Sequence, residues 1–90
     1  MSEEDLNKFK EKLVESTSFP SIYMFKFIIE TGNRNIALVE SLFEAEAELH
    51  RKESSNGKYT SITARQVVMH ADEVIDIYKR ASLIKGIMFL

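Results

Sequence analysis

Between Glu53 and Ser61 the chain reads Glu-Ser-Ser-Asn-Gly-Lys-Tyr-Thr-Ser, and the central Asn56-Gly57 pair constrains the fold more than any other feature. A two-residue hairpin of type I′ needs φ > 0 at both central positions, which Asn and Gly tolerate best, so the pair predicts a tight turn between antiparallel strands. Downstream, Lys58 to about Val68 alternates Thr60, Ile62 and Ala64 with Tyr59, Ser61, Thr63 and Arg65, the period-two pattern of a strand. Upstream, residues 45–54 are rich in Ala and Glu, which favour helix on propensity alone. The hairpin needs a partner, however, and heavily charged strands suit sheet edges, so a strand is expected from about Ala47.

The rest of the chain arranges itself on either side of this hairpin. Ser21–Glu30 is dominated by aromatic and β-branched residues, with Tyr23, Phe25, Phe27 and Ile29 on one side and Ile22, Met24, Lys26 and Ile28 on the other. A strand apolar on both faces belongs in the middle of a sheet. Thr31-Gly32-Asn33 reads as a turn, with Asn33 or Asn35 as cap. Ile36, Val39, Leu42 and Phe43 then recur at helical spacing through about Glu44. A second helix is expected over Asp72–Ser82, with Val74, Ile77, Tyr78 and Ala81 as its buried stripe. Ile84–Leu90 reads as a final strand.

Strand, helix, strand, strand, helix, strand is the ferredoxin-like βαββαβ pattern, an α+β sandwich of a four-stranded antiparallel sheet with two helices on one face. The first and third strands should be central and the charged second strand should lie at an edge. Ahead of this unit, Asp5 can cap an amphipathic helix over residues 5–15, with Leu6, Phe9 and Leu13 as its stripe. Pro20 disfavours helix at Phe19 and ends that segment. The expected division is a helix and linker over residues 1–18, then a ferredoxin-like domain over residues 19–90.

Composition removes several function classes. The chain carries 12 basic and 14 acidic residues for a net charge of −2, which argues against nucleic acid as a partner, since that needs a basic excess on one face. With no cysteine there is no disulfide, thiolate ligand or cysteine nucleophile. His50 and His70 have no second histidine or carboxylate at ligand spacing, so neither a metal nor a cofactor is expected. No nucleophile–base pair is readable, which points away from an enzyme. An acidic Met1–Asp5 and the absence of a long apolar run lead to the expectation of a soluble, cytoplasmic protein without a membrane partner.

One face of the sheet is left without a helical cover. By alternation it should present Met24, Lys26, Ile28, His50, Tyr59, Ser61, Thr63 and Arg65, with Ile87 and Phe89 from the last strand. Met, Ile, Phe and Tyr there are costly in water, so a cover is expected. The N-terminal helix folding back onto Met24, Ile28 and Phe89 is the first candidate, and a second subunit or another protein is the next. Lys26 is either an anchor for an anionic group or a stem that keeps the face hydrated. Gly32 stands where backbone amides at a helix start can hold an anion, or in a plain turn.

Phe19-Pro20-Ser21-Ile22-Tyr23-Met24-Phe25-Lys26, Ser54-Ser55-Asn56-Gly57-Lys58-Tyr59-Thr60-Ser61 and Val74–Tyr78 together resemble the YbeD-like family of small bacterial proteins of unknown function. The resemblance spans Phe19 to Leu90. It implies a ferredoxin-like fold similar to the ACT domains that sense small molecules, often as dimers, and a regulatory role. Matching positions are Pro20, Lys26, Ser54, Ser55, Gly57, Tyr59 and Ser61. Ile87 stands about where relatives can carry an arginine. The leading expectation is a non-enzymatic regulatory or interaction module that uses the open sheet face around Lys26, Tyr59, Ser61, Thr63 and Arg65. The alternative is an ACT-like sensor of an amino acid or small carboxylate, with its pocket between the Gly32 loop and a subunit interface.

Overall fold

The computed structural model describes residues 2–90, in the order α1 (Glu3–Ser16), β1 (Ser21–Glu30), α2 (Asn33–Glu40), β2 (Glu48–Glu53), β3 (Tyr59–Val68), α3 (Ala71–Ala81) and β4 (Met88–Phe89). The four strands form one antiparallel sheet in the order β2-β3-β1-β4. This is the ferredoxin-like arrangement with an added N-terminal helix. The two apolar faces of β1 place it in the centre beside β3, and the charged β2 lies at an edge. No helix among the described residues is long and apolar enough to cross a membrane.

The hairpin forms, but not as a type I′ turn. Ser54 Oγ accepts from the Tyr59 amide at 3.0 Å, and the Gly57 amide donates to the Ser54 carbonyl at 2.8 Å. Within this loop Gly57 alone has positive φ, at 72°, so Asn56 stays in ordinary space and the loop is longer than two residues. Asn56 instead accepts the Lys58 amide through Oδ1 at 3.0 Å, a local side-chain bond of the kind that lets Asn shape turns. The register survives: Glu53 faces Thr60 and Leu49 faces Ala64.

The starts of α1 and α2 differ in detail from the sequence expectation. Ser2, not Asp5, caps α1. Its Oγ accepts the Asp5 amide at 3.1 Å, and Asp5 accepts the Ser2 amide in return at 3.4 Å, a reciprocal box that satisfies two orphan donors. Neither Asn33 nor Asn35 caps α2. Gly32 occupies the cap position without a side-chain bond, while Asn35 Nδ2 donates back to the Glu30 carbonyl at 3.0 Å. α2 also stops at Glu40, because Leu42 and Phe43 turn back on the Val39 and Glu40 carbonyls. His70 stands at the start of α3, where Glu73 accepts its amide at 3.1 Å and also that of Met69.

The core lies between the sheet and the helices. Phe25, Phe27, Ile62, Ala64, Val68, Val39 and Val74 are fully enclosed. Tyr78 on α3 meets Phe9, Phe25, Phe27 and Phe89 with ring centroids 5.4–5.7 Å apart. Burial pushes the Tyr78 phenol well above its ordinary value, and the neighbouring Tyr23 adds to the effect. The neutral form is therefore favoured in the fold. Its stabilisation is complete below about pH 10, where the unfolded phenol titrates, and is lost as pH rises further, at no more than about 1.4 kcal/mol per pH unit for one proton. Urea midpoints measured from about pH 9 to 11 should fall for the native chain and fall less steeply for Tyr78→Phe.

Two expectations about the sheet's other face are overturned. The N-terminal helix does not cover it. α1 packs on α3 within the helical layer, burying Leu6 and Leu13 in the common core and setting Phe9 edge-on to Tyr78. Lys10 Nζ lies 2.6 Å from Asp72 Oδ1, and that contact holds the Asp72 carboxyl below its usual value. An apolar stripe needs a buried surface, and α3 supplies it. The last strand is also shorter than expected. The amides of residues 82–84 bond back to the carbonyls of Tyr78, Arg80 and Ala81, and Gly86 turns the chain with φ 80°. Only Met88 and Phe89 then pair with β1, Phe89 opposite Phe27 and Met88 opposite Ile28. Phe89 thus joins Phe27 on the core side, and Ile87 packs against the core as well.

Candidate functional site

The register places the side chains of the bare face in rows. Glu48, Arg65 and Met24 stand side by side, then His50, Thr63 and Lys26, then Lys52, Ser61, Ile28 and Met88. Val67 and Ile22 form a row at one end, and Tyr59 with Glu30 forms one at the other. Leu90 continues β4 beside Lys26, its amide donating to the Lys26 carbonyl at 3.1 Å. Alternation along β1 and β3 is responsible: every partner of these residues along the strand points into the core.

The face is divided by polarity. Toward β4 and the start of β1 it is apolar, with Ile22 60%, Met24 61%, Val67 57%, Met88 44% and Leu90 67% exposed. Toward β2 it is charged. His50 Nε2 lies 2.9 Å from Glu48 Oε1, and that bond, with the nearby Arg65 charge, holds the Glu48 carboxyl below its ordinary value. Lys26 and Lys52 take part in no ion pair among the described residues. Three cations (Lys26, Lys52, Arg65) thus face two carboxylates (Glu30, Glu48) in a chain whose net charge is −2.

The residues singled out from the sequence fall into two groups. Lys26, Thr63, Ser61 and Arg65 cluster in the middle of the face, with Lys26 directly opposite Thr63. Tyr59 lies four residues from Thr63 along β3, about 13 Å away at the rise of a strand. It shares the sheet's far end with Gly32, where the Thr31 amide donates to the Lys58 carbonyl at 2.9 Å and Thr31 Oγ1 bonds the buried Thr60 Oγ1 at 2.8 Å. Those two bonds clamp the Gly32 turn onto the base of the hairpin. Ile22, Val67, Met88 and Leu90 were not among the expected face residues. For Ile22 and Val67 the alternation already carried the signal. For Met88 and Leu90 it did not, because the expected register of the last strand was one residue out of step.

No curated protein and no solved structure matches the chain. One family model does, over residues 14–90, and its description is "Protein of unknown function (DUF493)". The match takes in all four strands, α2, α3 and the last turn of α1. With so much of its length covered, the chain belongs to the DUF493 family, the YbeD family of small bacterial proteins that its motifs resemble.

Proposed function

We propose that the chain is a non-enzymatic regulatory or protein-interaction module, and that its bare sheet face is the docking surface. The observation that carries this is the apolar half of that face, which no segment among the described residues covers and which borders Lys26, a cation in no ion pair among those residues. An antiparallel sheet can leave one face to water, but that face is then polar. Contiguous exposed apolar side chains rimmed by charge are the mark of an interaction surface, and the thioethers of Met24 and Met88 adapt to varied shapes. The partner is a protein surface with an apolar centre and a carboxylate opposite Lys26, since the face has a cationic excess.

Met24 and Lys26 are exposed and lie outside the core, so substitutions there leave the fold intact. Binding of the partner to Met24→Asp or Lys26→Glu should weaken about tenfold or more, the cost of losing one well-placed interface residue. Affinity capture with the native chain and both variants, followed by titration of the purified partner, measures this. Equal capture by all three would overturn the reading. Light scattering on the same samples shows whether the partner is a second copy, as a dimer that dissociates in Met24→Asp.

A further inference from the structure

The end of the sheet beyond the docking face holds a cleft of about 820 Å³, walled by the end of β1, the first turns of α2, Tyr59 of β3 and the loop from α3 to β4. That volume falls within the roughly 300–1,000 Å³ usual for small-molecule sites. The charged groups that line it are Arg34, Lys85 and Glu30, and none of the three takes part in an ion pair among the described residues. α2 opens without a side-chain cap and with no acidic residue in its first turn, and the Glu40 carboxylate at its far end pairs with Arg51, so no carboxylate of that turn offsets Arg34. Apart from Asn35, the remaining wall is largely apolar: Leu38, Leu83 and Met88 line it, and Leu83 is 85% exposed.

We infer that this cleft binds a small organic anion with an apolar body, of the aryl- or alkyl-carboxylate class. Arg34 and Lys85 would take the carboxylate, since a guanidinium offers a planar pair of donors and an ammonium a point charge. Leu38, Leu83 and the Tyr59 ring would take the hydrocarbon. Glu30 leaves the cleft with a single net positive charge, which suits a monoanion. The residues that line the cleft belong to a single chain. The cleft lies at the opposite end of β1 from Met24, and Met88 is the one residue of the apolar half of the bare face that borders it, so the inference does not rest on the docking reading.

The test is a titration of the isotope-labelled full chain with 3-phenylpropionate, followed by two-dimensional NMR of the backbone amides. Saturable shifts are expected at Arg34, Asn35, Tyr59 and residues 83–86, with half-saturation in the millimolar range. Losing one charge-assisted contact should weaken binding about tenfold. Arg34→Gln, Lys85→Gln and replacement of the acid by 3-phenylpropionamide should each do so, while Lys26→Ala should leave the titration unchanged. Both cations are exposed, so their variants remain folded. No saturable shift up to about 10 mM would overturn the inference. Equal binding of the amide, or shifts centred on Lys26 and Arg65, would overturn it too. Met24→Asp separates the two proposals, because it weakens docking and leaves this titration intact.

Discussion

Replacing Phe27 by alanine should lower the stability of the chain by about 3–5 kcal/mol, the usual cost of emptying a large core site that cannot collapse. Phe27 is fully enclosed and its ring meets those of Phe25, Phe43, Tyr78 and Phe89 at 5.6–6.4 Å. These neighbours sit on β1, the turn after α2, α3 and β4, so one side chain joins four parts of the fold. Domains of this size have roughly 5–15 kcal/mol to lose, so the variant should give up a large share of its stability. Ile28, the next residue along β1, points to the bare face and loses far less on truncation. Urea denaturation of the two variants makes the comparison. Similar midpoints for Phe27→Ala and Ile28→Ala would contradict the placement of the core.

Shortening the chain to begin at Ser18 should cost about 3 kcal/mol or more. Fully burying a leucine contributes roughly 1.5–3 kcal/mol; the deletion removes Leu6 and Leu13 from the core and the Phe9 ring from Tyr78. The entropy of ordering α1 offsets part of that gain, which is why the expected loss is smaller than the sum over side chains. Hydrogen exchange locates the effect. Amides of α3 near Val74 and Tyr78 should lose protection, and those of β1 at Met24 and Lys26 should not change. A shortened chain of unaltered stability, or one whose newly exposed region is β1, would mean that α1 does not dock on α3.

The same docking shows where sequence reasoning stops. Leu6, Phe9 and Leu13 mark a helix with one apolar face, and that face must be buried. Their spacing is silent on what buries it, and two surfaces competed: the bare sheet face and the flank of α3. The flank offers the Tyr78 ring and a carboxylate for Lys10. The helix went there and left the sheet face open. That outcome made Met24, Ile22 and Val67 a candidate surface.

For the candidate site, Lys26, Ser61, Thr63 and Arg65 were legible because strand alternation is local and strict. Arg34, Lys85 and Leu83 were not, because the cleft they share joins the start of α2 to the loop after α3. No pattern within either segment announces the other. Tyr59 and Gly32 were picked out from the hairpin and the turn, yet they belong to this far end of the sheet and not to the centre of the face.

What the residues determined by themselves is the order of the elements, the central position of β1, the charged edge and the register of the hairpin. Each follows from periodicity or turn chemistry within a dozen residues. What only the tertiary structure decided is the seat of α1, the length and register of β4, and the cleft at the sheet's end. These depend on contacts between distant segments. In β4 a shift of one residue exchanges Ile87 and Phe89 for Met88 and Leu90 on the open face. Phe27, across the sheet from Phe89, settles that choice by taking the aromatic ring into the core.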